Sequence, residues 1–182
     1  MNLKIVSLIV LVLVLLAGFL GCSGSMEKQL ETIDTLIRTS DSVSFDLDPI
    51  DSTQVETLFS GASDVKEQFK AQLGSDTLEL EFAEHLNEFL TAISNLEGLN
   101  AEKETCSVAN AKTRERLRQL RSDISSGSGE RARYTTWLAS EQAEIGRIRK
   151  HCITIKRKFE SAKSAIEQYQ PEIERFIQQS VP

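Results

Sequence analysis

The chain has 182 residues and a formal net charge of −6, with aromatic residues at only 6% and just three prolines. Glu, Gln, Lys, Arg, Leu, Ile and Ala dominate, a balance that argues against a β domain and for helices or coiled coil. The length past the first apolar segment suits one domain with enough chain to bury a core.

Asn2 and Lys4 precede an almost unbroken apolar run, Ile5 to Leu20, that ends in Gly21-Cys22. A positive n-region, an apolar h-region and a small residue before a cut mark a secretory signal. The residues Phe19-Leu20-Gly21-Cys22 resemble the bacterial lipobox, whose cysteine thiol is diacylated and becomes the new N-terminus. That resemblance implies a signal at 1–22 and lipid attachment at Cys22. The competing reading is an uncleaved membrane anchor, because the run is near the lower limit of about 17 residues for a span. Ser23-Gly24-Ser25 then reads as a polar tether at 23–25, ahead of a single helical domain at 26–182.

Met26, Leu30, Ile33 and Ile37 recur at steps of four and three, which predicts a first helix from Met26 to about Arg38. Ser40 to Ser52 is rich in Ser and Asp and contains Pro49, so a loop is expected there, with Asp51 or Ser52 as the next N-cap. A second helix is expected over Thr53–Leu73 on the stripe Val55, Leu58, Ala62, Val65, Phe69 and Leu73, stopped by Gly74. Asp76 with Glu79 resembles a capping pair. From there a stripe runs through Leu78, Phe82, Leu86, Phe89, Ile93 and Leu96 and resumes at Cys106, Ala109, Thr113, Leu117, Leu120 and Ile124. Gly98-Leu99-Asn100 lies between the two parts and reads as either a bend or a break.

Ser125-Ser126-Gly127-Ser128-Gly129 is the clearest turn signal. The last helix carries a heptad seam from Tyr134 through Leu138, Glu141, Ile145, Ile148, Cys152, Ile155, Phe159, Ala162, Ile166, Tyr169 and Ile173 to Phe176, with only Glu141 out of character. Pro171 is expected to kink it or to begin a new short helix.

Folding the chain about Gly127 makes the two long helices antiparallel. The expected fold is all-α: a long-helix hairpin with two shorter helices packed on its base. The base would comprise 26–98 and 156–180, and a coiled-coil arm, 100–155, would project from it. Cys106 and Cys152 then lie about 27 and 33 Å from the turn, both on the apolar seam. Export plus an even cysteine pair predicts a Cys106–Cys152 disulfide, worth about 2–4 kcal/mol; the alternative is two free thiols acting as small hydrophobes.

No motif for a nucleophile, a phosphate loop or a metal is present. His85 and His151 lack partners at ligand spacing, and no cofactor or enzymatic activity is expected. Charge is the informative feature. Residues 23–104 carry 18 acidic and five basic side chains, whereas 105–158 carry five acidic and 13 basic. Lys112, Arg114, Arg118, Arg121, Arg131, Arg133, Arg147, Arg149 and Lys150 form the candidate partner-binding set on the arm, and arginine there favours bidentate contact with anions. A solvated coiled coil with flanking charges is the plainer reading, and pairing with the acidic base of a second copy is another.

The lipobox-like Cys22, the Ile50-Asp51-Ser52 helix entry and the heptads together resemble small all-helical lipoproteins of the bacterial envelope. Ser23 after the lipidated cysteine implies outer-membrane delivery, facing the periplasm. The tether, the long hairpin and the basic block point to a non-enzymatic spacer or adaptor, held to the membrane by its lipid and binding an anionic protein or envelope polymer. Nucleic acid is not an expected partner, and self-association is compatible with the charge layout. A carrier with a ligand cavity among the phenylalanines of the base is the second functional reading.

Overall fold

A computed structural model describes the backbone of residues 3–72 and 78–179 and the side chains of residues 25–72 and 78–179. The described chain is all-helical and contains no strand. In order it forms α1 (Leu3–Leu47), α2 (Ser52–Gln72), α3 (Leu80–Leu96), α4 (Leu99–Ser126), a 3-10 turn (Arg131–Arg133) and α5 (Tyr134–Gln179). Cys22, the signal segment, Gly74 and the Asp76 cap lie outside the described side chains.

Three boundaries differ from the sequence reading. The first helix does not stop near Arg38, and the loop expected over Ser40–Ser52 is helical as far as Leu47. The Ile33–Leu36 stripe continues at helical steps through Ser40, Val43 and Leu47, all buried, so the Ser and Asp residues merely fill the outer face. The helix ends where Pro49 disfavours helical backbone at Asp48. The tether expected at 23–25 falls within α1. At the other end, α5 runs through Pro171 without interruption.

Other signals act as read. Asp51 caps α2, its Oδ1 accepting from the Thr53 amide at 2.8 Å. Gly98 adopts φ 71° and separates α3 from α4, which resolves the bend-or-break ambiguity as a break between buried Leu96 and Leu99. Gly127, at φ 67°, ends α4 in a Schellman motif: its amide donates to Ile124 O at 3.2 Å and the Ser128 amide donates to Asp123 O at 3.0 Å. A side chain at Gly127 would collide with the Arg131 guanidinium, which donates to the Gly127 carbonyl from the far side of the turn.

The chain divides into two compact units, to both of which α1, α4 and α5 contribute segments. This differs from the two-helix arm read from the sequence, because α1 accompanies the hairpin tip. Unit 1 comprises Met1–Asp41 and Ala111–Gly146. Its core is Ile33, Leu36, Leu117, Leu120, Ile124, Tyr134, Leu138 and Ile145. Asp34 pairs with Arg121 and Asp41 with Arg114, so seven residues forward on α1 are seven back on α4. Arg116–Glu141 and Tyr134–Asp123 give the same opposed stepping between α4 and α5. Both helix pairs in this unit are therefore antiparallel.

Unit 2 comprises Ser42–Asn110 and Arg147–Pro182 and joins all five helices in one larger core. Phe89, Leu99, Ile155, Ala162 and Ile173 are fully buried at its centre. Phe69, Phe82 and Phe176 pack ring on ring, with centroids 4.8 to 6.0 Å apart. Cys106 and Cys152 belong to this core.

Candidate functional site

The arginines of unit 1 explain where most of the positive block goes. Arg121 donates to Asp34 at 2.7 Å, and that bond, followed by the charges of Arg121 and Arg38, holds the Asp34 carboxyl below its ordinary range. Arg114 donates to Asp41 at 3.0 Å. Arg116 makes a bidentate pair with Glu141, at 2.6 and 2.9 Å, which raises the guanidinium's already high pKa. That pair accounts for an acid on the heptad seam: Glu141 is half-buried against α4 and neutralised there. Arg133 pairs with Glu130 at 2.7 Å, Arg118 lies 4.0 Å from Glu115, and Arg131 caps the Gly127 carbonyl. Residues 25–41 and 111–146 together hold nine basic and nine acidic side chains, so the described side chains of this unit sum to zero charge. The open basic surface expected at the tip is largely closed by its own carboxylates. Lys112 is exposed and makes no ion pair among the described residues.

The segment of α5 in unit 2 has a different arrangement. Ile148, Cys152, Ile155 and Phe159 face the core. Flanking them, Lys156 pairs with Asp46 at 3.0 Å, Lys158 pairs with Glu102 at 2.8 Å, and His151 lies 3.8 Å from Glu102. The Asp46 bond raises the pKa of Lys156. Arg149, Lys150, Ile153 and Arg157 point away from that core and are exposed, Ile153 to 46%. Steps of three and four place them on one outward stripe. The side chains of Arg149, Lys150 and Arg157 make no ion pair or hydrogen bond among the described residues. Arg147 is exposed beside them.

No family model, curated protein or solved structure matches the chain.

The two internal thiols fall where the seam predicts, in a single core. Cys106 Sγ donates to the carbonyl of Ile148, one turn before Cys152, at 3.7 Å. Cys152 Sγ donates to Val43 O at 3.8 Å. The expected disulfide is not formed, and both cysteines are free thiols. Each Sγ is directed to a different main-chain carbonyl, Ile148 O for Cys106 and Val43 O for Cys152. Burial pushes the Cys106 pKa up, and burial, with the nearby Cys106 next, pushes Cys152 up to about 11. A thiol without thiolate character is a poor nucleophile for disulfide exchange.

Among the described residues no group of three His, Cys, Asp or Glu side chains is placed to hold a metal ion, and no helix is long and apolar enough to cross a membrane. The apolar run Ile5–Leu20 lies outside the described side chains. Sequence reasoning missed Arg157 and Ile153. The signal was available as their steps of four from Arg149, on the face opposite the heptad seam.

Proposed function

We propose that the chain is a non-enzymatic helical adaptor of the bacterial envelope, anchored by lipid at Cys22 in the outer membrane and facing the periplasm, that captures an acidic protein partner. The observation that carries this reading is the outward stripe of α5: three unpaired cations, Arg149, Lys150 and Arg157, around the exposed Ile153. Cations with no intramolecular carboxylate remain available to a partner's carboxylates, and Arg149 and Arg157 can engage them bidentately. An apolar side chain at the centre of a charged rim supports a protein surface over a uniformly hydrated polymer. The arginines of unit 1 contribute less, because Arg114, Arg116, Arg118, Arg121 and Arg133 would each first have to leave a carboxylate already in place, and Arg131 the Gly127 carbonyl. The anchor rests on the residues around Cys22.

The test is crosslinked capture from native envelopes. Reversing Arg149, Lys150 and Arg157 together to Glu is expected to reduce capture by at least about tenfold, with helicity unchanged. The single reversal Arg118→Glu is expected to leave capture intact. Capture that survives the triple reversal overturns the reading. Separately, Cys22→Ser is expected to move the chain out of the membrane fraction.

Carriage of a small ligand in the helical base has less support. Phe69, Phe82 and Phe176, which would line such a cavity, pack against one another.

A further inference from the structure

Unit 1 contains a cleft of about 250 Å3 between the α4 and α5 segments, and the chain's only tryptophan forms one wall of it. Leu120 and the 38%-exposed indole of Trp137 are its apolar surfaces. The indole is braced by Tyr134, whose ring centroid lies 6.2 Å away. Tyr134 is itself buried and anchored, its single hydroxyl hydrogen shared between Asp123 O, at 3.1 Å, and Ser128 O. The tryptophan thus presents a face that is partly open to solvent and held from behind.

The polar rim is equally fixed. Arg116 is tied to Glu141 through Nε and Nη2, and to Thr113 through Nη2 at 2.9 Å. Gln119 donates to Asp123 Oδ1 at 2.9 Å. These bonds lock the planar groups but do not exhaust them. The Arg116 Nη1 and Trp137 Nε1 donors, and the Gln119 Oε1 and Asp123 Oδ2 acceptors, have no partner among the described residues. The cleft therefore offers donors and acceptors in equal measure beside an aromatic face.

That mixture discriminates between ligand classes. An anion would meet the Asp123 and Glu141 carboxylates, and a cation would meet the Arg116 guanidinium. A hydroxyl both donates and accepts, so a neutral polyhydroxylated ring satisfies both kinds of rim group, while its apolar C–H face covers the indole. The volume is below the range of about 300–1,000 Å3 that drug-sized or acyl ligands require, and fits a single sugar ring. We propose that this Trp137 cleft binds one pyranose unit of a neutral or N-acetylated glycan. It is a site separate from the α5 stripe and does not depend on the adaptor reading.

The single tryptophan makes the test direct. The full chain, held in a detergent without a sugar headgroup, is titrated with the N-acetylglucosamine trisaccharide and, in parallel, with maltotriose, while tryptophan emission is recorded. A saturable shift with half-saturation at about 1 mM for at least one sugar is expected, the affinity that one ring's worth of atoms supports. Gln119→Leu is expected to weaken binding about tenfold without loss of helicity. An unchanged spectrum with both sugars up to about 20 mM overturns the proposal, as does an equal shift produced by N-acetyl-arginine amide, which would assign the cleft to cationic side chains.

Discussion

The two units reach stability by different means. Unit 1 encloses eight buried apolar side chains and closes its helix pairs with ion pairs, Arg114–Asp41 and Arg121–Asp34 on one side and Arg116–Glu141 on the other. Unit 2 gathers a core more than twice as large, with an aromatic cluster and two buried thiols, and leaves three cations of α5 unpaired. A small core needs each charge to have a partner that also fixes register. A large core fixes register by packing and releases surface charge for other uses. The unit richest in arginine is thus the one with fewer cations to offer a partner.

The contrast can be broken most forcefully in the larger core. Phe89→Ala, at a fully buried site, is expected to cost about 3–5 kcal/mol in denaturant unfolding. Leu117→Ala tests the smaller core and is expected to cost about 2–4 kcal/mol; a loss equal to or above that of Phe89→Ala would contradict the difference drawn between the units. Alkali provides the third test. The Cys152 pKa is raised in the folded state, so its contribution is complete below the unfolded value near 9 and is lost as pH rises toward about 11. A loss of about 1–3 kcal/mol across that window is expected, and Cys152→Ala should flatten it. Smaller still, Glu141→Ala removes the bidentate partner of Arg116 and is expected to cost about 1 kcal/mol, because the guanidinium remains half in solvent. The smallest effect belongs to Asp34. Its carboxyl is depressed in the folded state, so its stabilisation is present above the unfolded value near pH 4 and is lost as pH falls through the folded value. Asp34→Asn should remove that acid limb, and 1 M salt should shrink it in the parent chain.

Much of the fold was legible because α5 is so regular. From Tyr134 through Ile145, Cys152 and Phe159 to Ile173, nearly every seam position expected to be buried is buried. The turn at Gly127 and the cap at Asp51 were legible because each rests on a local requirement, a positive φ or a hydrogen-bond acceptor two residues upstream of an amide. Past Pro171 the seam shifts, so that Ile177 rather than Phe176 is buried while Phe176 joins the aromatic cluster. The Ser40–Leu47 helix was not legible from composition, because polar residues on an outer face look like loop residues until the buried stripe beneath them is followed.

The candidate site was half legible. Arg149 and Lys150 belonged to the expected set. Which arginines were already engaged was hidden, because the Asp34/Asp41 spacing matches the Arg114/Arg121 spacing only once α1 is known to run antiparallel to α4. Free thiols were likewise open to the sequence only as the alternative to a bond. Spacing brings two cysteines into one core, but the carbonyl each Sγ is directed to is set by the packing around it.

The tight reversal at Gly127 has a consequence for biosynthesis. Asp123 and Tyr134, joined across it, are only 11 residues apart, so this end of the α4–α5 pair can zip up as soon as it has been made. Ile33 and Leu36 are translated long before that, and their last partner, Ile145, follows Ile33 by 112 residues. At roughly 5–20 residues per second, the nascent amphipathic stretch waits about 5–20 s with its oily side uncovered. A ribosome-bound chaperone that shields residues 30–37 during that interval is therefore the assistance this topology most needs.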